Sequence, residues 1–494
     1  MKVNHRFRDA IQLSLMLIIS MCTQVLSLLK SSILASHFGA GSEIDAYNLT
    51  FSVVTFIFSF VGTGITTVLI PAYIRNEKDE AVDSFLTLIY MICMTASICL
   101  MLFQQPIFYL FSSKSVEFMS TVSKILPILL FSQFTNAYLG VTTAYFQCKD
   151  KYNIPKLCLF FSTLALVVLM FIDKNLTVIR LSYYTAIAAF LNFLIQYLLG
   201  KYYGMHNRLR INFYSKEFRM MVRIFLPTVF SAGLYQFNLL MDSIISSRLG
   251  TGKVTILTYS NSLIAMINSL IMANLITFFY PKISRAVSEK NGNERKVLVN
   301  YINIMNHLNA LLLIGFAVLG KDFLRILLVH GRFTEDNLNI TFICTCIYML
   351  GFPFDSARDA IYRFFYANNN TKTIFYNSVV ASCVNFTVSI ILSNFIGIFG
   401  VVIGTLVSQI VSLSMVSVKY NRIFNWNGYG KTILLLSIKI FIPVLILCSV
   451  VLFAQGLFLT SFLSRAISGI IIILFVLIII VYKLKQLLFE DITA

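Results

Sequence analysis

Charge is scarce in this chain. Of its 494 residues, 12% are Asp, Glu, Lys or Arg, about half the ~25% typical of soluble globular domains. Hydrophobic residues make up 58% and the mean hydropathy is +0.81, which excludes a soluble globular fold and implies an integral membrane protein. Acids are the scarcest charged group, 21 against 39 Lys and Arg. Histidine is sparse too: His5, His37, His206, His307 and His330 form no HExxH and support no Ser/His/Asp arrangement. A GxxxxGK[ST] phosphate loop is missing, so ATP does not drive transport within this chain. Nine cysteines include no CxxC pair and no Cys/His metal spacing, which leaves them as small apolar packing residues and predicts no metal. Cys344 and Cys346, the nearest pair, are two apart on a helix and point to different faces.

Long apolar runs are abundant. Fourteen of them, the first at 11–29 and the last at 462–482, approach or exceed the ~20 residues that span a bilayer; 157–172 and 338–357 are the weakest. The first run follows the basic front "MKVNHRFRDA", but it is longer than a signal-peptide core and no small-x-small cleavage site follows. Bulky Met21 before Cys22 argues against lipidation. With the N-terminus inside, 27 Lys and Arg fall in inside segments and 11 in outside loops, which places both termini in the cytoplasm. The net charge of +18 therefore reports topology rather than a nucleic-acid partner. Its largest part is the loop Lys201–Arg223, beside anionic headgroups or a docking partner.

One stretch is used twice. "ILASHFGAGSEIDAYNLT" (Ile33–Thr50) returns as "IISSRLGTGKVTILTYSN" (Ile244–Asn261), each an apolar run broken at Gly-x-Gly. A proline ends the next run 32 residues after Gly39, at Pro71, and 31 after Gly250, at Pro281. The copies lie 211 residues and six spans apart, which gives both the same orientation. A second echo, "AYFQCKDKYNIP" (Ala144–Pro155) and "RFFYANNNTKTI" (Arg363–Ile374), follows spans four and ten. The expected architecture is all-α and polytopic: two parallel-repeat six-helix lobes, 1–215 and 216–425, followed by a helix pair at 426–494. Duplicated bundles rocking about a central site build alternating-access transporters. The outside loops are too short for an external catalytic domain, so an enzyme is not expected.

Ionisable groups in or beside spans are costly in hydrocarbon and are functional candidates. Lys30 and Asp45 bracket the first Gly-x-Gly; Lys30 either faces an anionic substrate or snorkels, and Asp45 either grips the substrate or caps the second helix. Asp242 and Arg248 precede the second copy. "GFPFDSARDAIYRFFYANNN" sets Asp355, Arg358, Asp359 and Arg363 at helical i,i+3 or i,i+4 spacing, as an inside gate or a solvated helix end. Lys439 lies deep in a late span, at a lipid groove or snorkelling.

The segments "HFGAGSEIDAY", "VLIPAYIRNEK", "LITFFYPKISR", "LLVHGRFTEDN" and "RFFYANNNTKT" resemble the MurJ/MviN family of the MOP exporter superfamily over Thr23 to about Ser417. That resemblance implies a MATE-like fold in the bacterial cytoplasmic membrane, with no cofactor expected. It implies a flippase carrying an undecaprenyl-pyrophosphate-linked saccharide, typically lipid II, through a cationic cavity, with the lipid tail in a groove by the last helix pair. A monomeric transporter, working beside cell-wall or polysaccharide synthesis proteins and driven by membrane potential, Na+ or H+, is the expected state. The chain departs from the family pattern: Gln24 and Lys30 stand where family members have arginines, Phe58 near another, and Asn261 and Ser262 near an acid–arginine pair. Capsule or exopolysaccharide units, a drug or cation antiport and a non-transporting scaffold are the alternatives these changes leave.

Overall fold

A computed structural model describes residues 2–74, 79–111, 116–206, 208–269, 294–367 and 370–424, with isolated positions at 435, 438 and 442. The helix pair expected at 426–494, Lys439 and Pro281 lie outside the described residues. Every regular element among the described residues is helical, the form in which a lipid-embedded chain satisfies its backbone internally. In order they are α1 (Lys2–Phe38), α2 (Ser42–Ile74), α3 (Asp79–Leu102), α4 (Gln104–Phe111), α5 (Val116–Cys148), α6 (Asn153–Ile172) and α7 (Val178–Tyr202). Then come α8 (Lys216–Arg248), α9 (Lys253–Ile267), α10 (Glu294–Leu328), α11 (Glu335–Leu350), α12 (Phe352–Ala367), α13 (Thr371–Ile396) and α14 (Ile398–Phe424).

Eight of the described helical stretches are long and apolar enough to cross a membrane. The two weakest runs of the sequence are among them, as Asn153–Ile172 and as Glu335–Phe365, which is broken at Gly351 into α11 and α12. Many apolar side chains on these helices remain bare of protein, including Phe171, Leu102 and Phe395. On a soluble protein such surface would mark an interface; here it is the face that meets acyl chains.

Compactness divides the chain into two units, Met1–Thr255 and Ile256–Ala494. In the first, α2 packs on both α5 and α8, α5 packs on α7, and α1 lies on α6. The helix that opens the second sequence repeat, α8, thus packs among first-repeat helices. Association in lipid depends on close packing and polar contacts rather than on expelling water. Accordingly Thr142 donates to Gln196 at 2.6 Å and Gln196 to Asn192 at 2.9 Å, all three buried between α5 and α7.

In the second unit α13 and α14 form a tight hairpin, and α12 packs on α10 and α14. Gly404 lets the hairpin close, since a Cβ there would overlap Ser389. The second echo now has a physical basis. In the first unit Phe146 meets Tyr203, just past the end of α7, edge-on at 6.1 Å, and Tyr145 donates its hydroxyl to the Tyr203 carbonyl at 2.6 Å. In the second, Phe364 and Phe365 meet Tyr420, near the end of α14, edge-on at 5.7 and 6.1 Å. Each aromatic pair fastens the tail of the helix that closes its repeat.

Candidate functional site

The two Gly-x-Gly turns touch. After α1 the chain reverses at Gly39, with φ of 60°, and enters α2 at Ser42; after α8 it reverses through Gly250 and Gly252, with φ of 123° and 84°, and enters α9 at Lys253. A helix start leaves N–H groups without acceptors, and Gly252 has no side chain to supply one. Asp45 supplies it from the other copy. Its Oδ2 accepts from Gly252 N at 2.6 Å, while Oδ1 accepts from Thr255 N at 3.0 Å and Thr255 Oγ1 at 2.7 Å. Asn48 Nδ2 adds a bond to Thr255 Oγ1 at 3.2 Å.

Asp45 is 0% exposed, so its charge is held by these charge-assisted bonds and by the positive end of α9. It sits in the first turn of α2, and its carboxylate caps the start of α9, across the second Gly-x-Gly turn. Gly252 is required twice over. Its φ suits glycine, and a Cβ would lie 2.6 Å from the Ala40 carbonyl oxygen.

The other candidates spread around this pair. Gln24 and Lys30 lie half-buried on α1, and among the described residues none is ion-paired with Lys30. Asp242 is buried on α8 beside Ser243, which donates to Ser52 of α2 at 3.3 Å. Arg248 turns outward and donates to the Leu110 carbonyl at the end of α4, at the rim of an open cleft of about 590 Å³ that Gln105 and Tyr109 also line. Phe58, near a family arginine, is buried, its ring edge-on to Phe134 at 6.5 Å. Asn261 is half-buried on α9 and Ser262 is exposed.

In the 355–363 group, Asp355, Arg358 and Asp359 come together. Arg358 Nη1 lies 2.7 Å from Asp355 Oδ1 and its Nη2 lies 3.0 Å from Asp359 Oδ1. Gln409 of α14 donates to Asp355 Oδ2 at 2.7 Å. The guanidinium sits 5.6 Å from the Tyr362 ring centre, and the Tyr362 hydroxyl accepts from Asn377 of α13 at 2.7 Å. The pairs run within α12, and the cluster is fastened to α14 through Gln409, so it braces helices of one unit. Arg363 follows one turn beyond Asp359, half-buried on α12. The segment His330–Thr334 is a helix junction: Gly331 has φ of 61°, Thr334 caps α11 by accepting from Asn337 N at 3.3 Å, and Phe333 packs on Tyr259 at 5.8 Å.

Sequence reasoning missed Gln409, Asn48 and Thr255. The two latter carried a signal, since both belong to the repeated stretch; Gln409 is one amide in an apolar span with nothing to single it out.

Three comparisons bear on this arrangement. The family profile described as "Lipid II flippase MurJ" matches residues 34–480. A probable lipid II flippase MurJ of Rickettsia prowazekii (strain Madrid E) is 24% identical over 436 residues, covering 83% of this chain and 82% of that protein. The corresponding protein of Thermotoga maritima is 21% identical over 410 residues, covering 82% and 84%. Among solved structures, a lipid II flippase MurJ in an inward closed conformation superposes with a TM-score of 0.77 at 22% identity, covering 97% of this chain and all of that one. An inward-facing multidrug resistance MATE family transporter of the MOP superfamily gives 0.68 at 14% identity, covering 82% and 96%. These likenesses show the MOP fold.

Proposed function

This chain belongs to the lipid II flippase MurJ family, and from that premise we infer that it moves lipid II across the bacterial inner membrane by alternating access. The observation that carries the mechanism is the Asp45 latch. A repeated turn locked to its twin by one carboxylate is a closure that can be broken at little cost, because each bond it loses can be remade to water. We assign the latch to the outer side, on the positive-inside orientation that puts both termini in the cytoplasm. Closed, it seals the periplasmic end while a headgroup enters from inside; released, it opens that end.

Lys30 is the cation for the pyrophosphate in this account. Lysine meets phosphate as a point charge and lacks the bidentate fork of arginine, which matches a chain with Gln24, Phe58 and Asn261 near positions where relatives carry more charge. The Asp355–Arg358–Gln409 cluster keeps α12 and α14 together as the inner end moves. Membrane potential, Na+ or H+ supplies the drive, and the working unit is a monomer.

The test is complementation of a flippase-depleted strain, with outer-leaflet lipid II measured by an enzyme added outside that cleaves it. Restored cleavage supports the assignment. Growth without exposed lipid II, or accumulation of a different lipid-linked saccharide inside, refutes it.

A further inference from the structure

Between α7 and α8, the chain at 208–212 is fastened along α3. The backbone N–H groups of Arg208, Arg210 and Asn212 donate to Asp83 Oδ1 at 3.0 Å, Thr87 Oγ1 at 3.1 Å and Ser84 Oγ at 3.1 Å. The three acceptors are buried on the first turns of α3. Every second N–H is thus spent on α3, and the residues between them face away: Leu209 is 79% and Ile211 74% exposed, followed by Tyr214 at 84%. Arg208, Arg210 and Lys216 are exposed in the same stretch. The acids facing it are Asp83, taken by the Arg208 N–H; Glu80, which lies 3.9 Å from Arg210 and accepts from Asn212; and Glu217, half-buried at the start of α8.

Depth decides what covers those apolar side chains. The candidate span in α3 is Glu80–Leu102, and Thr87 is about 10 Å along it from Glu80 at 1.5 Å per residue. A strap fastened as far as Thr87 runs where headgroups give way to hydrocarbon. An apolar edge with a basic flank at that level has the composition of an interfacial anchor, and the inside surface it faces is anionic.

We propose that the 208–214 strap is a lipid-binding anchor for the anionic cytoplasmic leaflet, with Leu209, Ile211 and Tyr214 in the headgroup–acyl boundary and Arg208, Arg210 and Lys216 on phospholipid phosphates. The anchor ties the leaflet to α3. This assignment is independent of which substrate is carried.

A Trp426→Phe background removes the one native indole, so Leu209→Trp and, separately, Ile211→Trp become sole reporters. The full chain is placed in vesicles of phosphatidylcholine alone or with phosphatidylglycerol. The anchor predicts blue-shifted emission from both reporters and strong quenching by brominated acyl chains. It also predicts quenching at least twofold greater with phosphatidylglycerol, a difference that Arg208→Gln/Arg210→Gln abolishes. Water-like emission quenched by acrylamide in both lipids, as for a loop awaiting a soluble protein, overturns the proposal. So does a blue shift without bromine quenching, which means protein covers the site. Equal quenching in both lipids refutes the role given to the arginines.

Discussion

At the scale of single residues, the burial of Asp45 and its three bonds predict a sharp hierarchy. Asp45→Ala removes an N-cap, which costs about 0.5–2 kcal/mol, and strands buried donors at roughly 1–3 kcal/mol each. The expected outcome is a clear drop in thermal midpoint in detergent and failed complementation, whereas Asp45→Asn, which keeps one acceptor, falls between. Unchanged complementation by Asp45→Ala would remove the latch from the mechanism. Gly252→Ala should be as damaging, since it meets both the 84° φ and the Ala40 carbonyl. Lys30→Ala is expected to abolish lipid II export with normal expression, Lys30→Arg to keep it, and Lys290→Ala to be silent. Normal growth of the Lys30→Ala strain would dismiss that residue as a headgroup ligand. The role of Asp45 was half legible in the sequence. An acid five residues into "GSEIDAY" reads as a local cap, and only the contact between two turns 211 residues apart shows that it caps the other copy. The same contact explains why the second copy lacks an acid at its equivalent place: one carboxylate serves the junction.

At the scale of elements, helices were the most legible feature, because a run of about 20 apolar residues has few other fates. The break at Gly351 was not. The run 338–357 is continuous in hydropathy, and at the break Gly351 leaves room for the Gln409 amide, which a Cβ there would overlap. The acid–base group on α12 was legible as spacing, since i,i+3 and i,i+4 partners are fixed by helix geometry; its attachment to α14 was not, because Gln409 lies 54 residues along the chain from Asp355. Removing Arg358 leaves two carboxylates facing each other on one helix, and breaking a partly buried pair costs up to about 3 kcal/mol. Arg358→Ala should therefore lower the thermal midpoint more than Gln409→Ala, and Asp355→Asn introduced with Arg358→Ala should recover part of the loss. A double variant no more stable than Arg358→Ala would show that the charges are not what holds α12.

At the scale of the whole molecule, the duplicated turn and the duplicated aromatic pair were both visible as sequence echoes, and both make contacts in the structure. Hydropathy could not show that α8 packs with α2, because lipid-facing and helix-facing positions are both apolar and the moment that separates them on soluble helices is weak. The family assignment rests on the match over residues 34–480, and the mechanism rests on a latch that opens. Asn48 and Thr255 offer a direct test, their side chains being hydrogen-bonded at 3.2 Å. An Asn48→Cys/Thr255→Cys variant in a background without the nine native cysteines can be oxidised to hold the two turns together and reduced to free them. The account predicts that the reduced variant exposes lipid II on the outer leaflet, that oxidation stops this, and that a reductant restores it. Export of lipid II at an unchanged rate by the fully cross-linked protein would contradict the claim that this junction must open.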